Sequence, residues 1–166
     1  MVARVVDAVL DSGLRPVIVV TGHERERVEA ALAGRAVLFA HAEDYAEGLS
    51  ASLRAGIAAV PGEAEGALVA LGDMPLVPAA DMARLVAAFD PEEGRAIVQP
   101  TFRGKQGNPV LWARRFFAEM QAIAGDVGAR QLVGRHADSL VEVEMPSDGV
   151  LRDFDTAETL GGFRGT

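Results

Sequence analysis

Short apolar runs alternate with segments of helical periodicity in the N-terminal part of the chain, and this alternation constrains the fold more than any other feature. A first helix is predicted by apolar residues that recur at helical spacing, namely Val2, Val5, Val6, Val9 and Leu10. Residues 17–20 form a β-branched run that predicts a buried strand, and residues 36–40 form a second strand-like run. A second helix, with Val28 and Leu32 on its buried side, is predicted between them. The order helix, strand, helix, strand predicts an α/β fold with a mostly parallel sheet covered by helices on both faces.

Later elements are predicted by the same kinds of pattern. Thr21 and Glu24 have the spacing of a capping box, which would begin the second helix at Thr21. A third helix is expected from Gly48, and strands are expected at residues 95–99 and 140–145. A further helix would carry inward-facing apolar residues at Phe116, Phe117, Met120 and Ile123.

The composition limits the partners of this chain. Its 166 residues, 49% hydrophobic and 24% charged, have the length and content of one folded domain. A net charge of -8 argues against binding nucleic acid polymers, which needs a basic surface, but it allows a single nucleotide. The absence of cysteine excludes disulfides and thiol chemistry. No apolar run reaches the length of a membrane span and no signal-peptide core is present, so we expect a cytoplasmic protein without a membrane partner.

Residues 66–77 combine a strand with a carboxylate. Residues 67–71 predict a strand buried on both faces, and Gly72 and Asp73 follow it. Ligands of open α/β sheets bind beyond the carboxyl ends of the strands, so Asp73 is well placed to hold a metal ion or a metal-bound phosphate. Asp73 would equally cap the helix expected after Pro78. Both interpretations stay open here.

Two other segments also have a structural and a ligand-binding interpretation. Ser50 and Ser52 lie in the first turn of the third helix, where they would either cap free amides or present hydroxyl groups to an anionic or nucleotide ligand. Gly125, Gly128 and Arg130 would shape either an anion pocket or an ordinary loop.

Several familiar catalytic motifs are absent from the sequence. Neither the Gly-x-Gly-x-x-Gly dinucleotide fingerprint nor a P-loop is present. Residues 48–52 lack the second glycine of a nucleophile elbow, and the histidines show no metal-ligand spacing. Residues 153–156 superficially resemble the aspartyl nucleophile motif of haloacid-dehalogenase-type phosphatases, but that motif must begin the fold and here almost no chain follows it.

Five motifs, taken together and in order, resemble one family. They are Gly-Leu-Ser-Ala-Ser-Leu-Arg-Ala-Gly at 48–56, Leu-Gly-Asp-Met-Pro-Leu-Val at 71–77, Gly-Asn-Pro-Val at 107–110, Gly-Asp-Val-Gly-Ala-Arg at 125–130 and Asp-Phe-Asp-Thr at 153–156. These motifs resemble the molybdenum cofactor cytidylyltransferase and molybdopterin-guanine dinucleotide synthase-like proteins, which are glycosyltransferase-A-like nucleotidyltransferases. The resemblance implies one domain with a Rossmann-like three-layer sandwich of the nucleotide-diphospho-sugar transferase type.

The resemblance also implies a reaction and its residues. CMP or GMP would pass from CTP or GTP to the phosphate of molybdopterin with release of pyrophosphate, in a Mg²⁺-dependent step. The resemblance makes Asp73 and Asp155 the catalytic metal ligands. The nucleotide-binding residues would be Ser50, Ser52, Leu53, Gly72 and Asp73. The acceptor-binding residues would be Asn108, Pro109, Gly125, Asp126, Gly128 and Arg130. A molybdenum enzyme is a further implied partner.

The sequence departs from the family pattern at its N-terminus. The family begins with a strand, a glycine-rich loop and a lysine that wrap the triphosphate, whereas this chain begins on the helix that should follow. Loss of that central strand would leave unpaired edges on its neighbours, and loss of the loop removes the amide cradle of the triphosphate. Lys105, the only lysine, and Arg54 are not obvious replacements. We therefore expect a truncated relative that binds nucleotide weakly and transfers poorly as written.

Three alternatives remain at the level of the sequence. The first is a nucleotidyltransferase for another acceptor, such as a sugar 1-phosphate, a phospholactate-like acid or an isoprenoid precursor. The second is a catalytically silent binding module that interacts with molybdenum hydroxylases. The third is a plain α/β domain in which Asp73 and Asp155 are caps that lie far apart.

Overall fold

Helices and strands alternate along the chain in the computed structural model, which describes residues 1–125 and 128–154. The helices are α1 (Val2–Asp11), α2 (Arg25–Ala31), α3 (Leu49–Ala58), α4 (Ala79–Ala88), α5 (Phe117–Gln121) and α6 (Arg130–Arg135). The strands are β1 (Ile18–Thr21), β2 (Leu38–His41), β3 (Gly66–Val69), β4 (Ile97–Phe102), β5 (Lys105–Gln106), β6 (Val110–Ala113) and β7 (Leu140–Glu144). The α/β class predicted from the sequence is confirmed.

The described strands form two sheets. β1 and β2 pair in parallel in a two-stranded sheet, here called the smaller sheet. The larger sheet has five strands in the order β3-β6-β4-β5, with β7 paired in parallel to β4. β6 runs antiparallel to both β3 and β4, so β3, β4 and β7 share one direction. The carboxyl ends of these three strands therefore lie at one edge of the larger sheet.

Helices cover both faces of the larger sheet. Successive residues of a strand point to opposite faces, and Ile97 and Val98, both fully buried, accordingly belong to two different hydrophobic clusters. Residues of α3, α5 and α6 pack in the cluster that contains Ile97, and residues of α4 pack in the cluster that contains Val98. The predicted three-layer sandwich is confirmed.

The smaller sheet lies between α1 and α2 on one side and α3 on the other. Val19 of β1 packs with Val6 of α1 and with Leu32, which directly follows α2. On the opposite face, Gly56 of α3 comes so close to Val20 that a Cβ at this glycine would lie 2.9 Å from the valine Cγ2. α1 also contributes to the cluster around Val98, and α3 to the cluster around Ile97, so both helices join the two sheets.

The end strands of the two sheets differ from the sequence prediction in burial. Residues 67–71 are predicted to be buried on both faces, but all four residues of β3 are only partly buried. In the described part of the chain β3 pairs only with β6, and β1 pairs only with β2. Among the described residues one edge of β3 is thus left without a neighbouring strand, which accounts for its partial exposure.

One local prediction is wrong, and one strand is missing from the sequence prediction. Thr21 does not cap α2, because it pairs with His41 at the end of β1, and its Oγ1 lies 3.1 Å from the His41 Nδ1. Glu24 precedes α2 with a left-handed backbone and no side-chain cap. Strand β6 is absent from the sequence prediction because its apolar residues, 110–113, merge with those of the following helix.

No helix within residues 1–125 and 128–154 combines the length and the apolar character needed to traverse a lipid bilayer. A cytoplasmic location stays a prediction.

Candidate active site

Asp73 lies in an irregular turn that connects β3 to α4. β3 ends at Val69, and α4 begins at Ala79 with Pro78 as its N-terminal cap residue. Pro75 and Pro78 disfavour helical backbone in the residues that precede them, which delays the start of α4. The alternative interpretation of Asp73 as a helix cap is therefore wrong. Asp73 is half-buried at the carboxyl end of the larger sheet.

The segment that follows β7 runs alongside this turn. Phe154 donates its backbone N–H to the carbonyl oxygen of Asp73 at 2.8 Å. Gly149 approaches the turn so closely that a Cβ would clash with the carbonyl oxygen of Leu76. Asp155 is the next residue after Phe154 and lies outside the described residues, so its role as second metal ligand stays a prediction.

The start of β6 lies at the same place. Val110 of β6 pairs with Val69 of β3, which puts Asn108 and Pro109 beside the end of β3. Asn108 is half-buried and donates its backbone N–H to the carbonyl oxygen of Val150 at 2.9 Å. The turn with Asp73, the start of β6 and the segment before Asp155 are distant in the sequence, and the fold brings all three together.

A second group of predicted site residues meets at the start of α3. Ser50 is fully buried, and its hydroxyl donates to the carbonyl oxygen of Gly125 at 2.5 Å. The interpretation of Ser50 as a cap is wrong, because its hydroxyl donates to Gly125 and accepts from Nη1 of Arg54 rather than from a free amide of α3. Gly128 lies against Leu49, since a Cβ there would be 3.1 Å from the leucine Cδ2. The predicted nucleotide and acceptor segments are thus in direct contact.

Other predicted residues are spread around these two groups. Leu53 is buried in the hydrophobic cluster of α3 and α5, and Ser52 is half-buried on α3. Gly72 is exposed beside Val2 of α1, and Arg130 is exposed at the start of α6. Asp126 lies outside the described residues. The ligand-binding roles of all of these residues stay predictions.

Two carboxyl groups beside the larger sheet have shifted pKa values. Asp81, fully buried on α4, has its pKa raised by burial, although Arg84 lies 2.6 Å away and opposes the shift. Glu144 lies at the carboxyl end of β7, where hydrogen bonds from the Thr101 hydroxyl and the Arg103 backbone N–H lower its pKa. These bonds tie β7 to the turn after β4, so we assign Glu144 to the scaffold of the site.

The carboxylate oxygens of Asp73 are donor atoms that suit a hard divalent cation. No group of three or more His, Asp or Glu side chains suited to a metal ion occurs in the part of the chain that the structure describes. Mg²⁺ does not need such a group, because it is usually bound through one or two carboxylates together with substrate phosphates and water. One half-buried carboxylate at the strand end, with a second at the following position of the adjacent segment, would meet this requirement.

Two structural residues of the site have only weak signals in the sequence. Gly149 is a lone glycine that nothing distinguishes before its contact with Leu76 is known. Arg54 follows Ser50 at the i, i+4 spacing that places side chains on one helix face, and this spacing is its only signal.

The chain belongs to the MobA-like NTP transferase domain family, whose model matches residues 1–140. It is thus a member of a nucleotidyltransferase family with the corresponding α/β fold. A curated protein, the bifunctional protein GlmU of Carboxydothermus hydrogenoformans, is 34% identical over 87 residues, which are 52% of this chain and 18% of GlmU. The match therefore spans less than a fifth of that relative.

Similar solved structures include a protein of the same nucleotidyltransferase class. A nucleotidyl transferase from Methanothermobacter thermautotroptrophicus has a TM-score of 0.82 and 26% identity over 98% of this chain and 78% of its own. Rv0371c from Mycobacterium tuberculosis has a TM-score of 0.80 and 26% identity over 99% of this chain and 84% of its own. A second structure of Rv0371c is a complex with manganese, and shares 24% identity over 97% of this chain and 83% of its own at a TM-score of 0.80.

Proposed function

We propose that this chain is a nucleotidyltransferase that moves CMP or GMP from CTP or GTP to molybdopterin and releases pyrophosphate. Membership of the MobA-like family supports nucleotidyl transfer. Molybdopterin as the acceptor is supported by the five sequence motifs, which include the Gly-Asn-Pro-Val and Gly-Asp-Val-Gly-Ala-Arg segments.

The observation that carries this proposal is the hydrogen bond from the Phe154 N–H to the Asp73 carbonyl oxygen. It joins the segment that precedes Asp155 to the turn that contains Asp73, although the two are far apart in the sequence. A pair of carboxylates at a strand end is the arrangement that a nucleotide-bound Mg²⁺ needs.

Asp73 and Asp155 would hold Mg²⁺ against the triphosphate. The bound ion would neutralise the negative charge that opposes attack on the α-phosphorus. A phosphate oxygen of the acceptor forms the new bond to that phosphorus, and the bond to the β-phosphate oxygen breaks as pyrophosphate leaves. Asn108 and Pro109 would orient the acceptor, because β6 starts beside the Asp73 turn.

A divalent ion is further supported by the manganese complex of Rv0371c.

The test replaces each proposed ligand separately, as Asp73→Asn and Asp155→Asn. Asp138→Asn serves as a matched control, because Asp138 is exposed just before β7, at the opposite end of the strands from Asp73. Binding of CTP and GTP with and without Mg²⁺ is measured by calorimetry, and pyrophosphate release is measured with molybdopterin. Both ligand variants should lose Mg²⁺-dependent nucleotide binding and about 100-fold or more of the turnover, as expected for removal of a charged transition-state contact. The control should match the wild type.

Unchanged Mg²⁺-dependent binding in Asp73→Asn would overturn the site assignment. Pyrophosphate release with a sugar 1-phosphate, a phospholactate-like acid or an isoprenoid precursor, but not with molybdopterin, would overturn the proposed acceptor alone. Absence of turnover with every acceptor, together with co-purification of a molybdenum hydroxylase, would overturn the proposed enzyme activity and favour a binding module.

A further inference from the structure

The segment after α5 is held against α3 by hydrogen bonds to its main-chain carbonyl oxygens. The carbonyl oxygen of Ile123 accepts a hydrogen bond from Nη1 of Arg54 at 2.6 Å. The carbonyl oxygen of Gly125 accepts from the Ser50 hydroxyl at 2.5 Å, and the Ser50 backbone N–H lies 3.4 Å from the same oxygen. Both donor residues belong to α3, so this helix satisfies the carbonyl groups of Ile123 and Gly125.

The Arg54 side chain connects the segment after α5 to the start of α3. Its Nη1 also lies 3.3 Å from the Ser50 Oγ, and its Nη2 binds the Glu47 carboxylate at 3.0 Å. The Arg54 side chain is largely buried, at 24% exposure, whereas Glu47 is 60% exposed. A planar guanidinium reaches these three acceptors at once, and a lysine ammonium in its place would not.

Apolar packing also holds the segment after α5 against α3. The Ile123 side chain is buried in the cluster that contains Leu53 and Ile57 of α3. Ile123 is therefore held through its side chain by the apolar face of α3 and through its carbonyl oxygen by Arg54. The position of Gly125 relative to α3 is fixed by these contacts and by Ser50.

We propose that Arg54 is a positioning residue for the acceptor, which acts by holding the Ile123–Gly125 segment against α3. This inference rests on the proposed function, in which α3 faces the nucleotide and Gly125 begins the acceptor-binding segment. Arg54 touches neither substrate. It sets the distance between the two binding regions through the carbonyl oxygen of Ile123 and the hydroxyl of Ser50.

The experiment compares Arg54→Ala and Arg54→Lys with Glu47→Gln as a control, since Glu47 contacts Arg54 from the solvent side. Hydrogen exchange of the peptide that covers residues 117–125 reports how firmly this segment is held against α3, and the measurement needs no substrate. Arg54→Ala should speed exchange there by about tenfold or more, because a hydrogen bond to a charged group is lost. Arg54→Lys should be intermediate, and Glu47→Gln should match the wild type.

The same variants are assayed with CTP as donor and molybdopterin as acceptor. Arg54→Ala should raise the KM for molybdopterin about tenfold, while kcat and the Kd for CTP change less than about twofold. Arg54→Lys should restore part of this loss. A merely structural role would lower the melting temperature without separating the acceptor KM from kcat and from CTP binding.

Unchanged hydrogen exchange in Arg54→Ala overturns the proposal whatever the enzyme does. Faster exchange with an unchanged KM for molybdopterin, or with CTP binding weakened equally, overturns the role toward the acceptor. If exchange rises but the wild type itself shows no transfer to molybdopterin, the proposed function fails and the acceptor role fails with it, while the hold on residues 123–125 stands.

Discussion

The two sheets of this protein contain similar apolar strands but bury them to very different degrees. In the larger sheet, β4 has neighbours on both sides and helices on both faces, and Ile97 and Val98 are fully buried. In the smaller sheet, β2 is an end strand, and Leu38 and Phe39 are 58% and 41% exposed. An apolar run thus indicates a strand, but its burial depends on how many elements surround it.

Stability should be distributed in the same unequal way. Burial of apolar surface is the main favourable contribution to folding, so most of it should come from the clusters around the larger sheet. The smaller sheet is held by the Val6, Val19 and Leu32 cluster and by helices that it shares with the larger sheet. The part of the site that contains Asp73 and Asn108 lies on the larger sheet.

The largest difference in stability is expected between alanine variants of two leucines, one beside the larger sheet and one in the smaller sheet. Leu85 on α4 is fully buried against the larger sheet, and Leu38 on β2 is the most exposed of the large apolar residues described. Leu85→Ala should lower the free energy of unfolding by about 3 kcal/mol, because it removes buried methyl groups and leaves a cavity. Leu38→Ala should cost about 0.5 kcal/mol or less. Denaturant unfolding of both variants measures the difference, and equal losses would contradict the unequal distribution.

A smaller effect should depend on pH at Asp81, beside the larger sheet. Burial raises the pKa of Asp81 in the folded protein above its value in the unfolded chain. The folded state therefore binds this proton more tightly, so the contribution to stability is present at low pH and is lost as the pH rises through the folded pKa. Wild type should gain stability relative to Asp81→Asn as the pH is lowered from about 7 to about 4.

Thermal unfolding of both proteins across this pH range checks the sign. A difference between them that stays constant, or that changes in the opposite direction, would mean that Asp81 is not a destabilised buried carboxylate in the folded protein.

The smallest effect should come from an exposed pair beside the smaller sheet. Arg35, just after α2, binds Asp7 of α1 through two hydrogen bonds of 2.7 and 3.1 Å. The hydrogen bond from Arg35 lowers the pKa of Asp7, so its contribution to stability is present above the unfolded pKa and is lost as the pH falls through the folded pKa. Arg35→Ala should therefore cause a slight loss at neutral pH and low salt.

This loss should disappear at about 1 M salt, where exposed charges are screened. Melting temperatures of wild type and Arg35→Ala at low and high salt provide the measurement. A large loss that resists salt would show that the ion pair, rather than the apolar cluster, joins α1 to α2.

Much of the fold could be predicted because its signals are local. The spacing of Val2 to Leu10 predicts α1 almost to its end, and the β-branched run at 17–20 predicts β1 within a residue. β6 could not be predicted, because its burial and antiparallel pairing arise from β3 and β4, which are distant in the sequence. Thr21 has the spacing of a cap but forms a strand pair with His41, because pairing with β2 competes successfully with local capping.

The candidate site shows the same limit. The sequence identified Asp73 by its place after a strand, Gly125 by a candidate anion pocket and Asn108 through a resemblance. It did not show that the Ser50 hydroxyl donates to Gly125. It also offered two interpretations of Asp73, and only the start of α4 at Ala79 excluded the helix cap.

The sequence alone determined the α/β class and the position of Asp73 after a strand, since periodicity and composition act over short stretches of chain. Tertiary structure alone decided which strands have neighbours, where Phe154 meets Asp73, and how Arg54 and Ser50 hold residues 123–125. These contacts join residues far apart in the chain, so they depend on the packing of the whole domain and leave no local pattern.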